Sequence, residues 1–272
     1  MGLRNLSKTP FKIQRNFSEI DDKKEIATNL KYSESIFTPK QNISKLKAFT
    51  MLGRYSNQTG TFLLFMPCVW GVCLASPDPL SLHAMSHYFL YFWGAFHLRS
   101  AGCAVNDICD RDFDKKVERT KIRPLAANIL TVNEAMLFTA THCLLGLPVL
   151  FIINPYASYL ALGVFPLAML YPLAKRYTYY PQVVLGSVFN FGVFVGFTSI
   201  MGSYDMLTIA VPFYVAGILY TVIYDTIYAV QDKDDDVKAG VKGMALAWGD
   251  NIVPNSQITS ALLHLFLIYG GY

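Results

Sequence analysis

Charged residues are scarce in this sequence. Only 15% of its 272 residues are Asp, Glu, Lys or Arg. A soluble domain of this size usually carries about a quarter. Hydrophobic residues make up 53% of the chain and the mean hydropathy is +0.32, so the composition favours a membrane protein. The net charge of +4 is too mild to indicate a nucleic-acid partner, because the basic residues are not clustered on a polar domain.

Cysteine pairs with the spacing of a disulfide framework or a metal site are also missing. Of the five cysteines, four lie in apolar runs and one lies among aspartates. This distribution predicts free thiols that pack like small apolar residues. The five positions are Cys68, Cys73, Cys103, Cys109 and Cys143.

Acidic residues are absent from the first eighteen positions, which carry four basic residues and a weak apolar side. The long apolar segment of a secretory signal is absent there too. Such a start resembles a mitochondrial transit peptide, and Arg15-Asn16-Phe17-Ser18 resembles a matrix-processing site. A disordered cytosolic tail is the alternative. We expect a transit peptide and polar linker in residues 1–50, and a transmembrane domain in residues 51–272.

Long apolar runs begin at residue 59. A helix needs roughly 20 residues to cross the hydrocarbon core of a bilayer. Because lipid offers no partner to free backbone groups, and because the runs are continuous rather than alternating, they predict an all-α bundle of transmembrane helices. The predicted spans are 59–76, 84–105, 134–153, 155–174, 181–201 and 205–230, with a seventh that begins near 256.

Basic residues divide the loops between these spans into two kinds. After residue 60, all Lys and Arg lie in the loops that follow spans 2, 4 and 6, apart from Arg99 near the same end of span 2. The loops after spans 1, 3 and 5 hold none. This asymmetry fits the positive-inside rule. Span parity then predicts that the acidic segments 106–114 and 225–236 lie on the same side of the membrane.

Oxygen-bearing side chains cluster directly after span 2. If the helix continues at about 100° per residue, four of these side chains share an arc of roughly 100°. They belong to Asn106, Asp107, Asp110 and Asp114. Unneutralised carboxylates at the end of an apolar helix would repel one another, and their burial would be costly.

A second acidic set follows span 6, where Asp225, Asp232 and Asp236 are 7 and 4 residues apart and again lie nearly one above another on a helix. Magnesium is typically held by one or two carboxylates together with substrate phosphates. Basic side chains beside both sets suit phosphate oxygens; they are Arg111, Lys115, Arg119, Arg123, Lys175 and Arg176. The pattern predicts a magnesium–diphosphate site, and a solvated loop with surface ion pairs is the alternative for residues 111–119.

These residues resemble the signatures of the UbiA-type intramembrane prenyltransferases. The first signature, Asn-Asp-x-x-Asp-x-x-x-Asp, is matched over residues 106–114, and its continuation Val-x-Arg-Thr-x-x-Arg-Pro-Leu over residues 117–125. The second signature, Asp-x-x-x-Asp, is matched by Asp232 and Asp236. Within the family, the chain is most similar to the 4-hydroxybenzoate polyprenyltransferases of ubiquinone synthesis, on segments 171–177, 181–186, 224–229 and 240–242.

The resemblance implies magnesium-dependent transfer of a polyprenyl group from its diphosphate to carbon 3 of 4-hydroxybenzoate. It implies a multi-pass protein of the mitochondrial inner membrane, with the site on the matrix side and possible association with other enzymes of ubiquinone synthesis. The implied metal ligands are Asn106, Asp110, Asp114, Asp232 and Asp236. The implied substrate-binding residues are Arg99, Arg111, Arg119, Arg123, Lys175 and Arg176.

Four further residues carry implied catalytic roles. Asp107 or Asp225 accepts a proton from the acceptor or polarises its hydroxyl group, and the rings of Tyr171 and Tyr224 stabilise an allylic cation. Arg99 binds the benzoate carboxylate. A pairing of Arg99 with Asp107 or Asp110 is an alternative of equal weight.

Three departures from the family pattern leave alternatives open. The residues after Arg54 differ from the usual Arg-x-Asp-Lys/Arg-Pro entry motif, and Gly243 stands where the family has serine. Family members have nine spans, whereas about seven are present here. A UbiA-type enzyme with another aromatic acceptor and an inactive truncated isoform are therefore the alternatives. A transporter fits less well, because transporters place ionisable residues near the bilayer midplane.

Overall fold

The computed structural model describes residues 43–115, 120–168, 174, 177–231, 233 and 242–271. Every regular element in these residues is a helix, as the sequence predicts. The helices are α1 (Lys45–Leu52), α2 (Thr59–Ala75), α3 (Leu82–Cys109), α4 (Arg111–Asp114), α5 (Val132–Gly146), α6 (Pro148–Ile152), α7 (Pro155–Gly163), α8 (Pro181–Asn190), α9 (Gly192–Met201), α10 (Val211–Gln231), α11 (Met244–Trp248) and α12 (Ile252–Gly270). Short 3₁₀ turns, Leu207–Ala210 and Gly249–Asn251, precede α10 and α12.

Four helical stretches of the described chain are long and apolar enough to cross a membrane, namely Val132–Ile152, Pro181–Met201, Leu207–Gln231 and Met244–Gly270. Helices Thr59–Ala75 and Pro155–Ala168 are apolar but shorter. Helix α3 has 28 residues, but Arg99, Asp107 and three histidines make it more polar. These elements overlap the predicted spans, although the fourth is described only as far as Ala168 and the last helical stretch begins well before residue 256.

Proline, glycine and capping side chains set the helix ends. Pro181 occupies the first turn of α8, where its missing N–H costs nothing. Gly202 ends α9 in the left-handed conformation at φ 67°, which glycine adopts without steric cost. Thr131 and Glu134 form a reciprocal capping box at the start of α5. Such local signals explain why the boundaries can be read from the sequence.

One end of the bundle gathers the start of α2, the end of α3 and the start of α5. Arg54, just before α2, pairs with Asp107 near the end of α3. Lys45 of α1 pairs with Glu134 in the first turn of α5. We call this end of the bundle, defined by these four residues, the basic end.

Helix α2 runs in the same direction as the α8–α9 pair. Gly192 and Gly196 both lie against Cys68, so that a Cβ on either glycine would clash with it. Gly71, one turn further along α2, lies against the backbone of Val193 and Phe197. Residues further along α2 contact residues further along α9, so the two elements run parallel. Helix α8, which leads into α9, therefore begins at the same end as α2, the basic end.

Helix α10 runs antiparallel to α8. Gly186 of α8 lies against Thr221, whereas Asn190, one turn later, lies against Gly217 of α10. The amide of Asn190 donates to the hydroxyl of Thr221 at 3.0 Å. Helix α10 therefore ends at the basic end. Asp225, in the last two turns of α10, therefore lies toward the same end as residues 106–114, as span parity predicts, whereas Asp232 and Asp236 lie outside the described residues.

The opposite end of the bundle holds the loops that lack basic residues. The side-chain amide of Asn154, at the start of α7, donates to the carbonyl of Thr198 at 2.9 Å. Gly270, at the end of α12, packs against Phe213 at the start of α10. These contacts complete an up-and-down arrangement in which successive spans alternate in direction.

Most of helix α1 lies within residues 1–50, which the sequence analysis treats as a transit peptide and linker. Ala48 and Leu52 are fully buried, and the helix packs against α3. The compact unit of the chain begins at Lys45. Residues 45–50 therefore belong to the bundle, whereas residues 1–42, with the predicted transit peptide, lie outside the described residues.

Candidate active site

The first acidic segment is helical but divides into two faces. Helix α3 ends at Cys109, and the short α4 continues after Asp110, whose carbonyl accepts from Asp114 N–H at 2.8 Å. Asp107 and Asp114 lie two turns apart and therefore share one face of the helix. This is the inner face, and both residues are buried. Asn106 and Asp110 are exposed one turn apart on the adjacent face. The arc predicted from the sequence therefore holds a buried pair and an exposed pair.

Asp107 is held between two guanidinium groups. Its Oδ1 accepts from Arg54 Nη2 at 2.7 Å and from Arg123 Nη1 at 3.2 Å, and the side chain is 1% exposed. A buried carboxylate is tolerated only when it is paired in this way. Its other oxygen, Oδ2, is buried without a hydrogen-bond partner. Asp107 thus offers an acceptor that no side chain or backbone group in the described part of the chain uses.

Arg123 bridges the two buried carboxylates. Besides Asp107, its Nη1 contacts Asp114 Oδ2 at 2.9 Å. The hydroxyl of Thr120 donates to the carbonyl of Asp114 at 3.1 Å, which fastens the following loop to α4. Together these contacts hold residues 120–123 against the end of α3.

Arg54 is a site residue that the sequence analysis did not assign. It adopts φ 57°, an uncommon conformation for a residue with a side chain. Its Nη1 donates to the carbonyl of Met51 at 2.7 Å, at the end of α1. This turn directs the guanidinium toward Asp107. The signal in the sequence is a lone arginine just before the first apolar run.

Arg99 lies two turns before the acidic segment and faces α2. Its guanidinium covers Gly60, where a Cβ would fall 2.1 Å from Nε. The Nε atom is buried without a hydrogen-bond partner. The ion pairs of Asp107 are with other arginines, so its pairing with Arg99, one of the alternatives considered, is not what the structure contains.

Arg111 turns toward the loop before α5. Its Nη2 donates to the side-chain oxygen of Asn128 at 3.1 Å, and its Nε is buried without a partner. Asn128 has φ 56°, so the loop reverses sharply at this point. Arg111 is therefore attached to the loop, and among the described residues the ion pairs of the Asp107 cluster do not include it.

The second acidic segment follows α10. Tyr224 and Asp225 are partly buried in the last two turns of that helix, and the rings of Tyr220 and Tyr224 pack at 5.3 Å between centroids. Six predicted site residues lie outside the described residues, and their predicted roles stay predictions. They are Arg119, Tyr171, Lys175, Arg176, Asp232 and Asp236.

The chain after the second segment is anchored to the start of α8. Lys242 Nζ contacts the carbonyl of Tyr177 at 3.5 Å and lies 5.3 Å from the ring centroid of Tyr179. The backbone N–H of Met244 donates to Gln182 Oε1 at 3.3 Å. The described chain therefore reaches the end of α10 and resumes at Lys242 at the same end of the bundle, the basic end.

Comparison with known proteins now decides the family. The model of the UbiA prenyltransferase family matches residues 64–272. The chain belongs to this family. It is 44% identical over 207 residues to 4-hydroxybenzoate polyprenyltransferase, mitochondrial, of Arabidopsis thaliana, a match that covers 76% of this chain and 50% of the relative. The human protein of the same name is 41% identical over 209 residues, covering 77% and 56%.

Solved structures of the UbiA family share the fold. The apo structure of a UbiA homolog from Aeropyrum pernix K1 is 27% identical, with a TM-score of 0.66 and coverage of 76% of this chain and 77% of that one. A UbiA homolog from Archaeoglobus fulgidus, bound to DMAPP and Mg²⁺, is 20% identical with a TM-score of 0.63, covering 81% and 76%. The chain spans about half the length of the curated relatives that it matches.

Membership in this family agrees with the resemblance found in the sequence. Of the predicted site residues, the structure joins Asp107, Asp114 and Arg123 in one cluster and adds Arg54 to it. The exposed Asn106 and Asp110 border this cluster. No group of three metal-binding acidic, histidine or cysteine side chains forms within the described part of the chain.

Proposed function

We propose that this chain catalyses magnesium-dependent transfer of a polyprenyl group from its diphosphate to carbon 3 of 4-hydroxybenzoate. The observation that carries this proposal is the buried cluster in which Arg54 and Arg123 enclose Asp107 and Asp114 at the end of α3. Relatives 41–44% identical bear the name of this enzyme. The activity of the whole protein is inferred from these relatives, although the match covers only 50% and 56% of their length.

The donor set at the basic end fits Mg²⁺. Asn106 and Asp110 present an amide and a carboxylate oxygen one helical turn apart on an exposed face. Mg²⁺ usually takes one or two carboxylates and completes its shell with substrate phosphates and water. One or two carboxylates from α3 and α4 are therefore sufficient to hold Mg²⁺ beside a bound diphosphate. We assign Asn106, Asp110 and Asp114 to one side of the diphosphate, and Asp232 and Asp236 to the other.

Basic side chains at the same end suit the diphosphate oxygens. Arg123 and Arg54 already hold their guanidinium groups in place through carboxylates, so little side-chain entropy is lost when a phosphate binds beside them. Arg111, Arg119, Lys175 and Arg176 complete the proposed phosphate-binding set. When bound, Mg²⁺ neutralises the diphosphate and stabilises its departure.

The acceptor is proposed to lie between Arg99 and Asp107. Arg99 has a buried Nε without a partner, which suits a benzoate carboxylate. Asp107 has a buried Oδ2 without a partner, which suits the para-hydroxyl hydrogen of the same ring. Arg54 and Arg123 already occupy its other oxygen, Oδ1. Asp225 is the alternative base.

Exclusion of water is the remaining requirement, because an allylic cation reacts with water. A pocket inside an apolar helical bundle supplies this protection. The rings of Tyr224 and Tyr171 are proposed to face the cation, since an aromatic face attracts positive charge. The polyprenyl tail would lie between helices and extend into lipid.

A location and a set of partners complete the proposal. Names of relatives that include the word mitochondrial, together with the apolar helices, support a mitochondrial membrane protein. We propose the inner membrane, with the basic end on the matrix side, in accordance with the positive-inside rule. Association with other enzymes of ubiquinone synthesis is part of this proposal.

A transfer assay tests the function. Membranes that contain the chain are incubated with labelled 4-hydroxybenzoate, a polyprenyl diphosphate and Mg²⁺. We expect incorporation by the wild type and by Asp205→Asn, whose carboxylate lies at the opposite end, and a loss of at least 100-fold in Asp110→Asn and Asp232→Asn. Incorporation that survives both substitutions would overturn the assignment. Incorporation into a different aromatic acid instead would support the other-acceptor alternative.

A further inference from the structure

Arg54 occupies a backbone position that glycine usually fills. Helix α1 ends in a Schellman motif, in which the N–H of Tyr55 donates to the carbonyl of Thr50 at 3.0 Å and the N–H of Arg54 donates to the carbonyl of Met51 at 3.1 Å. Arg54 is the left-handed residue of this motif, with φ 57°. That conformation is strained for a residue with a side chain, so other contacts must hold Arg54 in it.

The next residue, Tyr55, provides such a contact. Its hydroxyl lies 2.8 Å from Nε2 of His142, within α5. Its ring packs against Phe96 of α3, with 5.1 Å between the ring centroids. The ring also folds back over Gly53, where a Cβ would fall 2.4 Å from Cε1 of the tyrosine. Tyr55 therefore attaches the turn after α1 to both α3 and α5.

A second histidine holds His142 in place. Nδ1 of His142 lies 2.9 Å from Nδ1 of His97 on α3, and the two residues are 5% and 4% exposed. The ring of Phe138 packs on His142, with 4.3 Å between the centroids. Because one nitrogen contacts Tyr55 and the other contacts His97, both polar atoms of the His142 ring are used. The ring of His142 is thus a fixed partner for the Tyr55 hydroxyl.

The turn that Tyr55 anchors brings the Arg54 guanidinium to the carboxylate cluster. Nη2 of Arg54 donates to Asp107 Oδ1 at 2.7 Å, and Nη1 donates to the carbonyl of Met51 at 2.7 Å. We propose that Tyr55 and His142 are positioning residues that hold Arg54 against Asp107 and beside the diphosphate. The part that concerns the diphosphate rests on the proposed function.

Two substitutions of His142 that differ by one methylene group test this role. Glutamine places its amide nitrogen where histidine has Nε2 and can reach the Tyr55 hydroxyl, whereas asparagine reaches only the position of Nδ1. We expect His142→Asn and Tyr55→Phe to raise the KM for the polyprenyl diphosphate about three- to tenfold, as the loss of one net hydrogen bond would. His142→Gln should stay within about twofold of the wild type.

The other kinetic constants separate positioning from general damage. The KM for 4-hydroxybenzoate should not change in these variants, because its carboxylate is assigned to Arg99. A loss of folded protein would lower the apparent kcat and would change neither KM. His264→Asn, the same substitution at an exposed position of α12, should leave both KM values unchanged.

A second measurement does not depend on activity. We expect His142→Asn to lower the unfolding temperature in nanodiscs, because the Tyr55 hydroxyl loses its partner. In the Arg54→Ala background this decrease should be about half as large or less, because the ion pair that the anchor supports is already absent. The cycle remains valid if the chain transfers no prenyl group, so failure of the proposed function can be told apart from failure of this inference.

Three results would overturn the inference. An unchanged KM for the diphosphate in His142→Asn would show that Arg54 needs no anchor. Equal effects of the asparagine and glutamine substitutions would show that the bond to Tyr55 is not the cause. Equal decreases in unfolding temperature in the two backgrounds would show that His142 and Arg54 act independently.

Discussion

Asp107 shows how one residue combines stability with chemistry. Its carboxylate is almost fully buried and receives hydrogen bonds from two arginines on different loops, while one oxygen remains without a partner. The sequence motif predicts that this aspartate belongs to the site. Its partner Arg54 could not be predicted, because a contact over 53 positions depends on the turn between α1 and α2.

A double-mutant cycle measures the pair. Arg54→Ala should destabilise the wild type by about 1–3 kcal/mol, because a buried carboxylate loses one of its cations. The loss should be smaller in the Asp107→Asn background, where the charge is absent. Thermal unfolding in nanodiscs provides both values.

Lys115→Ala provides the control for this cycle. Lys115 pairs with Asp112, which is 86% exposed, so its removal should cost less than about 0.5 kcal/mol. Equal losses for Arg54→Ala in the two backgrounds would show that the residues are not coupled.

At the scale of helices, the sequence predicts where each helix lies along the chain better than it predicts which helices pack together. The span predicted at 181–201 agrees with Pro181–Met201, because proline and glycine punctuate both ends. The break between α8 and α9 after Asn190 is not visible in the sequence, since the apolar run continues through it. Helix α1 was also missed, because its apolar side is short and is stabilised by packing against α3.

The contact between α2 and α9 yields a prediction about stability. A Cβ at Gly71 would lie 2.1 Å from the carbonyl oxygen of Val193 and 2.5 Å from the backbone nitrogen of Phe197. Because backbone atoms cannot move aside, Gly71→Ala should separate the helices and cost about 1–3 kcal/mol. The unfolding temperature in nanodiscs should fall accordingly.

Gly102→Ala is the matched control on α3. A Cβ at Gly102 meets no atom within 4 Å, and alanine favours the helix, so this variant should be neutral or slightly stabilised. If both substitutions behaved alike, close packing of α2 against α9 would not hold the bundle together.

The whole molecule has two chemically different ends. Ion pairs and acidic segments gather at the basic end, whereas Asn154 and the loop near Gly202 occupy the other end. Counting charges in the sequence predicts this asymmetry, because it depends only on the order of spans. The separation between the two acidic segments could not be predicted in the same way, since it depends on how the helices pack.

Labelling of two native cysteines tests this arrangement of the two ends. Cys109 is exposed at the basic end and Cys73 is exposed at the opposite end. In variants that retain only one of them, a membrane-impermeant maleimide added to sealed vesicles should label the two thiols from opposite sides. Labelling of both thiols from one side would contradict the alternating arrangement of spans.

The central claim is that both acidic segments hold one metal–diphosphate ligand, and Mn²⁺ binding tests it most directly. Electron paramagnetic resonance of the chain in nanodiscs should show Mn²⁺ bound tightly only when a prenyl diphosphate is present, because phosphate oxygens complete the metal shell. Asp110→Asn and Asp232→Asn should each weaken this binding at least tenfold, whereas Asp205→Asn at the opposite end should not. Binding that is independent of the diphosphate, or equal in all three variants, would contradict the account.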